Sequence, residues 1–447
     1  HAINIPQGNT SQNVTIKGNQ FVDNRHDLYI WSGVNVSIEE NEFITTESKS
    51  KMPSANLSMV TFMNSNENSS FTFKNNDVSD GRVYYANLKN GSTFDISGNT
   101  YGGIRVDVGL GITITNDTFI NCQIWGTDPA GGTQKGKLLG CRLQRDSYII
   151  NAVRYMDLEG CTITLFKGQM IDVNLKNCTI SETEIDLSGQ AGVEGGTIAD
   201  SSFRVQTENS NAKFNGSMIQ NCQIQYTNPA ELTVENCTIT MNEKPFVLVT
   251  ANTKSLTFKN NTVNNTSSYP VFQVNAAAFS DSTECTVVIE NNAFTCEGAE
   301  HVFDGTNITR GKLIYTGRNN TVAGAEILNP QYYRNNPYVT IIEMDRPSFT
   351  TLDLSQYDID SDGTLSPGET SAGINAELKK ASTDGYKKVI FPNDTYVISE
   401  ETPITIDFSG MVIDLNGSTL QINPNERDDY SIFEFVDGAE EIRLTNG

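Results

Sequence analysis

The chain has 447 residues, with 54 acidic against 31 basic side chains and a formal net charge of -23 at pH 7. An acidic surface of this kind disfavours nucleic acid and anionic membranes as partners. No stretch approaches the ~20 apolar residues of a membrane span and no N-terminal signal pattern is visible, yet 37% hydrophobic residues at regular intervals suffice for a long, narrow core.

The first element is Val14-Thr15-Ile16-Lys17-Gly18-Asn19-Gln20-Phe21, two short alternating strands around a polar corner. It returns at 36–43, 71–78, 112–119, 173–180 and 256–263, with Asn or Cys at the corner. Alternation buries one face of each strand and wets the other. Asn suits the corner because it tolerates the left-handed region and its amide can bond the next copy. Copies recur at roughly 20 to 24 residues, the period of a solenoid, and one copy cannot bury its apolar face alone. The spacing therefore predicts an all-β stack of coils over 1–328. The segments 44–58, 126–136 and 187–197 read as inserted loops or wider turns.

Within the coils, Asp23, Arg25, Asp27, Tyr29 and Trp31 form a candidate substrate-binding strip. Leu28 and Ile30 take the inward phase, so Asp27, Tyr29 and Trp31 are expected outside. Aromatic faces stack on sugar C–H groups, carboxylates bond hydroxyls, and Arg25 suits an acidic sugar. Burial of Tyr29 and Trp31 under the 44–58 loop, or in a subunit contact, is the alternative. A second set is acidic: Asp157, Asp172, Glu184 and Asp186 fall in the outward phase of neighbouring coils. Coils ~4.8 Å apart and positions ~6.6 Å apart on a strand bracket the carboxylate separations of retaining and inverting glycosidases. They are candidate catalytic acids, although any acidic solenoid carries outward acids.

Six of the eight cysteines, Cys122, Cys141, Cys161, Cys178, Cys222 and Cys237, are expected at the repeat corner as small interior residues. No Cys-x-x-Cys spacing is present and His is scarce, so a zinc site is not expected. Free, buried thiols fit assembly in a reducing compartment.

Residues 329–350, with three Xaa-Pro steps, read as an irregular connector. Residues 351–385 then hold the sharpest local motif. Asp358-Ile-Asp360-Ser-Asp362-Gly363-Thr364-Leu365-Ser366-Pro367-Gly368-Glu369 matches the twelve-residue calcium loop at each specified position. Asp358, Asp360, Asp362, Thr364 (through its carbonyl), Ser366 and Glu369 are the expected Ca2+ ligands. The competing reading is a solvated acidic turn at a helix N-terminus. A helix over 372–381 follows, and strands resume over 386–447.

Ala372-Gly-Ile-Asn-Ala-Glu-Leu-Lys-Lys-Ala381, Val389-Ile-Phe-Pro392, Thr395-Tyr396 and Asp414-Leu-Asn-Gly-Ser-Thr-Leu420 resemble the opening of pectate-lyase-like right-handed β-helices. That superfamily includes phage tailspikes and tail appendages, polygalacturonases and polysaccharide lyases. Asp394 stands where Gly is usual in the pattern. The resemblance covers 351–447 by motif and 1–328 by repeat style. It implies a single-stranded right-handed parallel β-helix with one short capping helix, and a homo-oligomer, a trimer in the tailspike case. It further implies a cell-surface polysaccharide as partner, bound and cleaved by glycoside hydrolase or polysaccharide lyase chemistry, on a virion tail or outside the cell. The polygalacturonase motifs Gly-His-Gly, Asn-Thr-Asp and Arg-Ile-Lys do not occur. A non-catalytic solenoid (fibre shaft, adhesin or filament subunit) is the rival reading. The opening block follows the coils instead of preceding them, so 386–447 is expected to supply first coils of the solenoid that 1–328 continues.

Overall fold

Each short alternating segment becomes a parallel strand stacked on its equivalent one coil away. A computed structural model describes every residue except 1, 7–11, 25, 45–59, 64–66, 80, 131, 133, 146–150, 207, 209, 334–335, 346–348, 359, 362, 428 and 437. It divides into two units, 1–344 and 345–447.

In the first unit three parallel sheets run the length of the stack: sheets A and B with 15 strands and sheet C with 14. One coil reads Arg105–Val108 in sheet A, Thr113–Thr115 in sheet B and Thr118–Ile120 in sheet C. The next coil pairs with it in register, Val106 with Ile124, Ile114 with Leu138 and Phe119 with Leu143. These inward residues are all buried. Like side chains stack on like: Phe21 on Phe43 at 5.0 Å and Tyr101 on Phe119 at 4.8 Å between ring centroids. Consecutive sheet A strands joined by a crossover that supplies B and C form an all-parallel solenoid, a parallel β-helix.

The corner between sheets B and C needs two residues. The first adopts positive φ, as at Gly18 (66°), Asn75 (53°), Asn177 (51°) and Asn260 (55°), the region Gly and Asn tolerate best. The second points inside and builds a ladder. Asn76 donates from Nδ2 to the Ile38 carbonyl (3.0 Å), and its Oδ1 accepts from the Asn41 backbone N–H (3.0 Å). Asn99, Asn261 and Asn292 repeat the donation, to Phe73, Val234 and Phe258. Asn41 and Asn76 are buried as expected, whereas Asn19 is exposed because it stands at the end of the ladder.

Cys141, Cys161, Cys178 and Cys237 occupy the same rung position. The Cys161 thiol faces the Leu138 carbonyl at 3.5 Å, where an Asn rung would donate. Cys122 and Cys222 correct the expectation. They follow Asn121 and Asn221 at the other corner, between sheets C and A, because both corners require a positive-φ residue followed by an inward one. All eight cysteines are free and buried, and burial pushes the Cys122 thiol up to about 12.

Two expected irregularities are regular. Residues 187–197 contain the sheet B strand Gln190–Glu194, with Gly195-Gly196 as its corner. A Cβ at Gly196 would lie 2.1 Å from the Cys178 carbonyl oxygen, so Gly is required there. The coils also run past 328: Val339–Glu343, inside the expected connector, pairs with Lys312–Arg318.

The second unit holds helix α1, Pro367–Asp384, and eight described strands between Thr350 and Thr445. Ile374, Leu378 and Ala381 are buried against this unit's own core. Asn375 satisfies a strand edge, accepting from the Thr405 N–H (2.7 Å) and donating to the Pro403 carbonyl (3.0 Å). Ser371 Oγ accepts from the Ser399 N–H at 2.9 Å. Covering unpaired strand groups in this way is how a sheet edge is protected. No helix among the described residues is long and apolar enough to cross a membrane.

Candidate functional site

The outward column of sheet A combines aromatic, cationic and acidic side chains. Strand pairing aligns Tyr29 with Thr61, Thr61 with Tyr84, Tyr84 with Asp107, Asp107 with Trp125, and Trp125 with Arg154. Adjacent coils lie about 4.8 Å apart, so an aromatic ring recurs at every second coil, about 9.6 Å apart. Thr61 and Asp107 between the rings are buried, while Tyr29, Tyr84 and Trp125 keep partial exposure.

Three arginines organise the lower half of this column. Arg82 Nε donates to Asp107 Oδ2 at 2.5 Å, and Arg105 donates to Asp107 Oδ1 through its terminal nitrogen at 2.5 Å. Both oxygens of Asp107 are thereby held. The Arg105 guanidinium lies 3.5 Å from the Trp125 ring centroid, and Arg154 lies 4.6 Å from it. Arg82 sits 5.6 Å over Tyr84. A planar cation on an indole face gains from the ring quadrupole, more so when partly desolvated. The indole N–H of Trp125 and the Nε of Arg154 are buried without hydrogen-bond partners. The result is a cationic, aromatic patch on an acidic chain.

The sequence reading found the upper end of this column and missed the lower. Tyr29 and Trp31 are half-buried on the outward side with ring centroids 5.4 Å apart. Asp27 shares their parity but is fully buried, not exposed as expected; alternation sets which side a residue takes, not what lies over it. Asp23 is a half-buried positive-φ corner residue, φ 55°. Arg25 and all but the first residue of the 44–58 loop lie outside the described residues. Tyr84, Trp125, Arg82, Arg105 and Arg154 were missed. Aligning each coil by its corner would have put Tyr84 and Trp125 on one file.

The four candidate catalytic acids do not converge. Asp157 is on sheet B, where Asn174 Nδ2 donates to it at 2.8 Å. Asp172 is a corner residue, φ 53°, accepting from the Gln190 N–H at 2.9 Å. Glu184 and Asp186 are on sheet A, paired with Lys167 (2.8 Å) and Arg204 (2.6 Å). Local phase cannot tell which of three sheets a strand joins, and this correction follows from that ambiguity.

In the second unit three of the expected Ca2+ ligands lie close together. Carboxylate oxygens of Asp358, Asp360 and Glu369 lie within 4.8 Å of one another. Two ligands at about 2.4 Å on opposite sides of a Ca2+ ion would be about 4.8 Å apart, so the set fits that ion. The Gly363 N–H donates to Asp358 Oδ2 at 2.9 Å, bending the loop around its centre. Ser366 is better described as the N-cap of α1. Its backbone N–H donates to Glu369 Oε2 (2.9 Å) and its Oγ accepts from the Glu369 N–H (3.3 Å), the reciprocal capping arrangement. Asp362 lies outside the described residues.

Inside the solenoid, one rung of the Asn ladder is Asp117, which the sequence reading did not single out. It is fully buried and accepts from the Asn99 N–H (2.8 Å), Asn99 Nδ2 (3.1 Å) and Tyr101 Oη (2.9 Å). Tyr101 and Tyr85 share a 3.0 Å hydrogen bond, and burial raises both phenols well above their ordinary range. Burial also raises the Asp117 carboxyl to about 6, against the opposing pull of its hydrogen bonds.

Residues 148–327 match the family model described as a right handed beta helix region. No curated protein matches the chain. Matched segment and unmatched neighbours share the same three sheets, and the first unit is a right-handed parallel β-helix.

Proposed function

We propose that the chain binds a cell-surface polysaccharide along the outward column of sheet A. The observation that carries this reading is the file Tyr29–Thr61–Tyr84–Asp107–Trp125–Arg154, with rings on alternate coils and Trp125 between two guanidiniums. A flexible polymer laid along the solenoid axis meets a ring at each second coil, with a guanidinium beside Tyr84 and Trp125. The arginines favour a glycan carrying carboxylate or sulfate groups. Asp107, held by Arg82 and Arg105, positions those side chains and is a poor candidate for proton donation.

The resemblance of 351–447 to the opening of pectate-lyase-like β-helices supports a tailspike-like or tail-appendage-like protein, acting on a virion or outside the cell. Eight free, buried thiols support assembly in a reducing compartment. Ca2+ at Asp358, Asp360 and Glu369 would fix the start of α1 and so the covered edge of the second unit. Cleavage of the bound glycan is the finer form of the proposal. A non-catalytic solenoid is favoured by the ion pairing of Glu184 and Asp186.

A glycan-array screen with wild type and Trp125→Ala tests the binding reading, followed by mass analysis of any released fragments. Binding to charged glycans that drops at least ~tenfold in Trp125→Ala, with an unchanged melting temperature, supports it. Equal binding by the two proteins removes sheet A from the argument. Binding without released fragments leaves the solenoid reading.

A further inference from the structure

The outward face of sheet C differs in kind from the other two. Its inward residues, such as Ile163, Ile180 and Ile239, are buried, so the flanking residues of each strand face out. Thr162, Thr179 and Thr197 stack in one register, as do Thr238 and Thr262. From Thr100 to Ala323, among the described residues, Arg142 is the one charged side chain at an outward strand position of this sheet. Sheets A and B carry ion pairs along the same coils, including Lys167–Glu184, Lys213–Glu235 and Lys259–Glu290. In a chain of 19% charged residues, that partition is positional. The strongly exposed apolar side chains of the central coils also gather here. Met218 is 61% exposed in an outward position, and Leu165 is 52% exposed at the adjoining corner.

We propose that this face is a contact between two copies of the chain. Two bodies of charge -23 repel, and bringing sheets A or B together would desolvate charges already committed to partners in their own chain. Sheet C is the side on which two copies can approach without that penalty. Its short side chains present methyl groups and hydroxyls on a flat strip, and the hydroxyls can bond one another across the contact. The strip spans eleven strands, about 50 Å at 4.8 Å per coil and about 10 Å across. That is about 500 Å² per copy and about 1,000 Å² in all, the lower bound for a specific interface. The area suffices only when the whole strip is used, so a two-fold, self-complementary contact is the arrangement that fits. Met218, protruding near the middle, is its anchor. This inference stands apart from glycan binding on sheet A.

Sedimentation of the full chain across a concentration series tests it, with Thr179→Glu/Thr238→Glu on sheet C and Thr233→Glu on sheet B as the control. The expected result is a wild-type mass rising toward twice 49.1 kDa. The sheet C variant should dissociate at least ~tenfold more readily, and the control should match wild type. Melting curves for all three identify a variant that fails to fold, and Met218→Gln then serves as the milder probe. A wild type that stays monomeric at every soluble concentration overturns the proposal. So does association that both sheet C variants leave unchanged, which would assign it to strand edges or another face.

Discussion

Sheets A and C are made by the same coils, yet their outer faces share little. On sheet A the outward column alternates aromatic rings with small or charged residues, and its arginines share Asp107 and Trp125. On sheet C the outward column is mostly threonine and carries one charge over eleven strands. Both faces hang on one interior, where like residues stack and Asn rungs consume backbone groups that the corners leave over. The comparison teaches that in a solenoid the fold constrains alternate residues and leaves the others free to specialise face by face.

The hardest way to break the comparison is to break what the faces share. Phe43 is fully buried and stacks on Phe21 and Phe73. Phe43→Ala should cost about 3–5 kcal/mol, read from urea unfolding, and should remove both surface functions together. A cost under about 1 kcal/mol would mean that neighbouring coils collapse into the space.

The Asp117 rung sharpens the picture of the interior through pH. Its folded carboxyl is raised to about 6 from 3.8 by burial, so the fold holds the proton more tightly than the unfolded chain. Its contribution is fully present below about pH 4 and is lost as pH rises through 6, on the order of 3 kcal/mol. Asp117→Asn should flatten that part of the stability–pH profile and stabilise the protein at pH 7. An unchanged profile would place the titration elsewhere.

A neutral rung gives an effect of similar size. Removing the Asn76 amide strands the Ile38 carbonyl and the Asn41 N–H, each worth roughly 1–3 kcal/mol when buried and unmet. Asn76→Ala should therefore lower the denaturation midpoint, and Asn76→Asp should do so more strongly at pH 7 than at pH 4.

Chelator treatment should affect the second unit alone. A melting transition that shifts down on calcium removal in wild type but not in Asp360→Ala supports the loop; matching shifts in both would refute it. The smallest expected effect is Thr233→Glu on sheet B, within about 0.5 kcal/mol of wild type as a surface change.

Much of this fold was legible in the chain. Alternation about a polar corner fixed the inward residues Ile38, Ile114 and Ile180, and the 20-to-24-residue period implied the stack. The calcium motif was readable because its spacing is local, whereas the helix expected over 372–381 runs from Pro367 to Asp384, its first turn capped by Ser366 inside that motif. Asp157 and Glu184 show where legibility stopped: both are outward, but on different sheets. Asp27 shows a second limit, being outward in phase and buried in fact.

The sequence by itself determined which residues face the core, because strand geometry enforces a period of two and a bare corner amide needs a partner. It also determined the repeat, because no coil can bury its own apolar face. Only the tertiary structure decided which outward residues become neighbours. Tyr29, Tyr84 and Trp125 lie 55 and 41 positions apart in sequence, and register alone brings them into one file. That register depends on the length of every intervening turn, which alternation within a single strand does not encode.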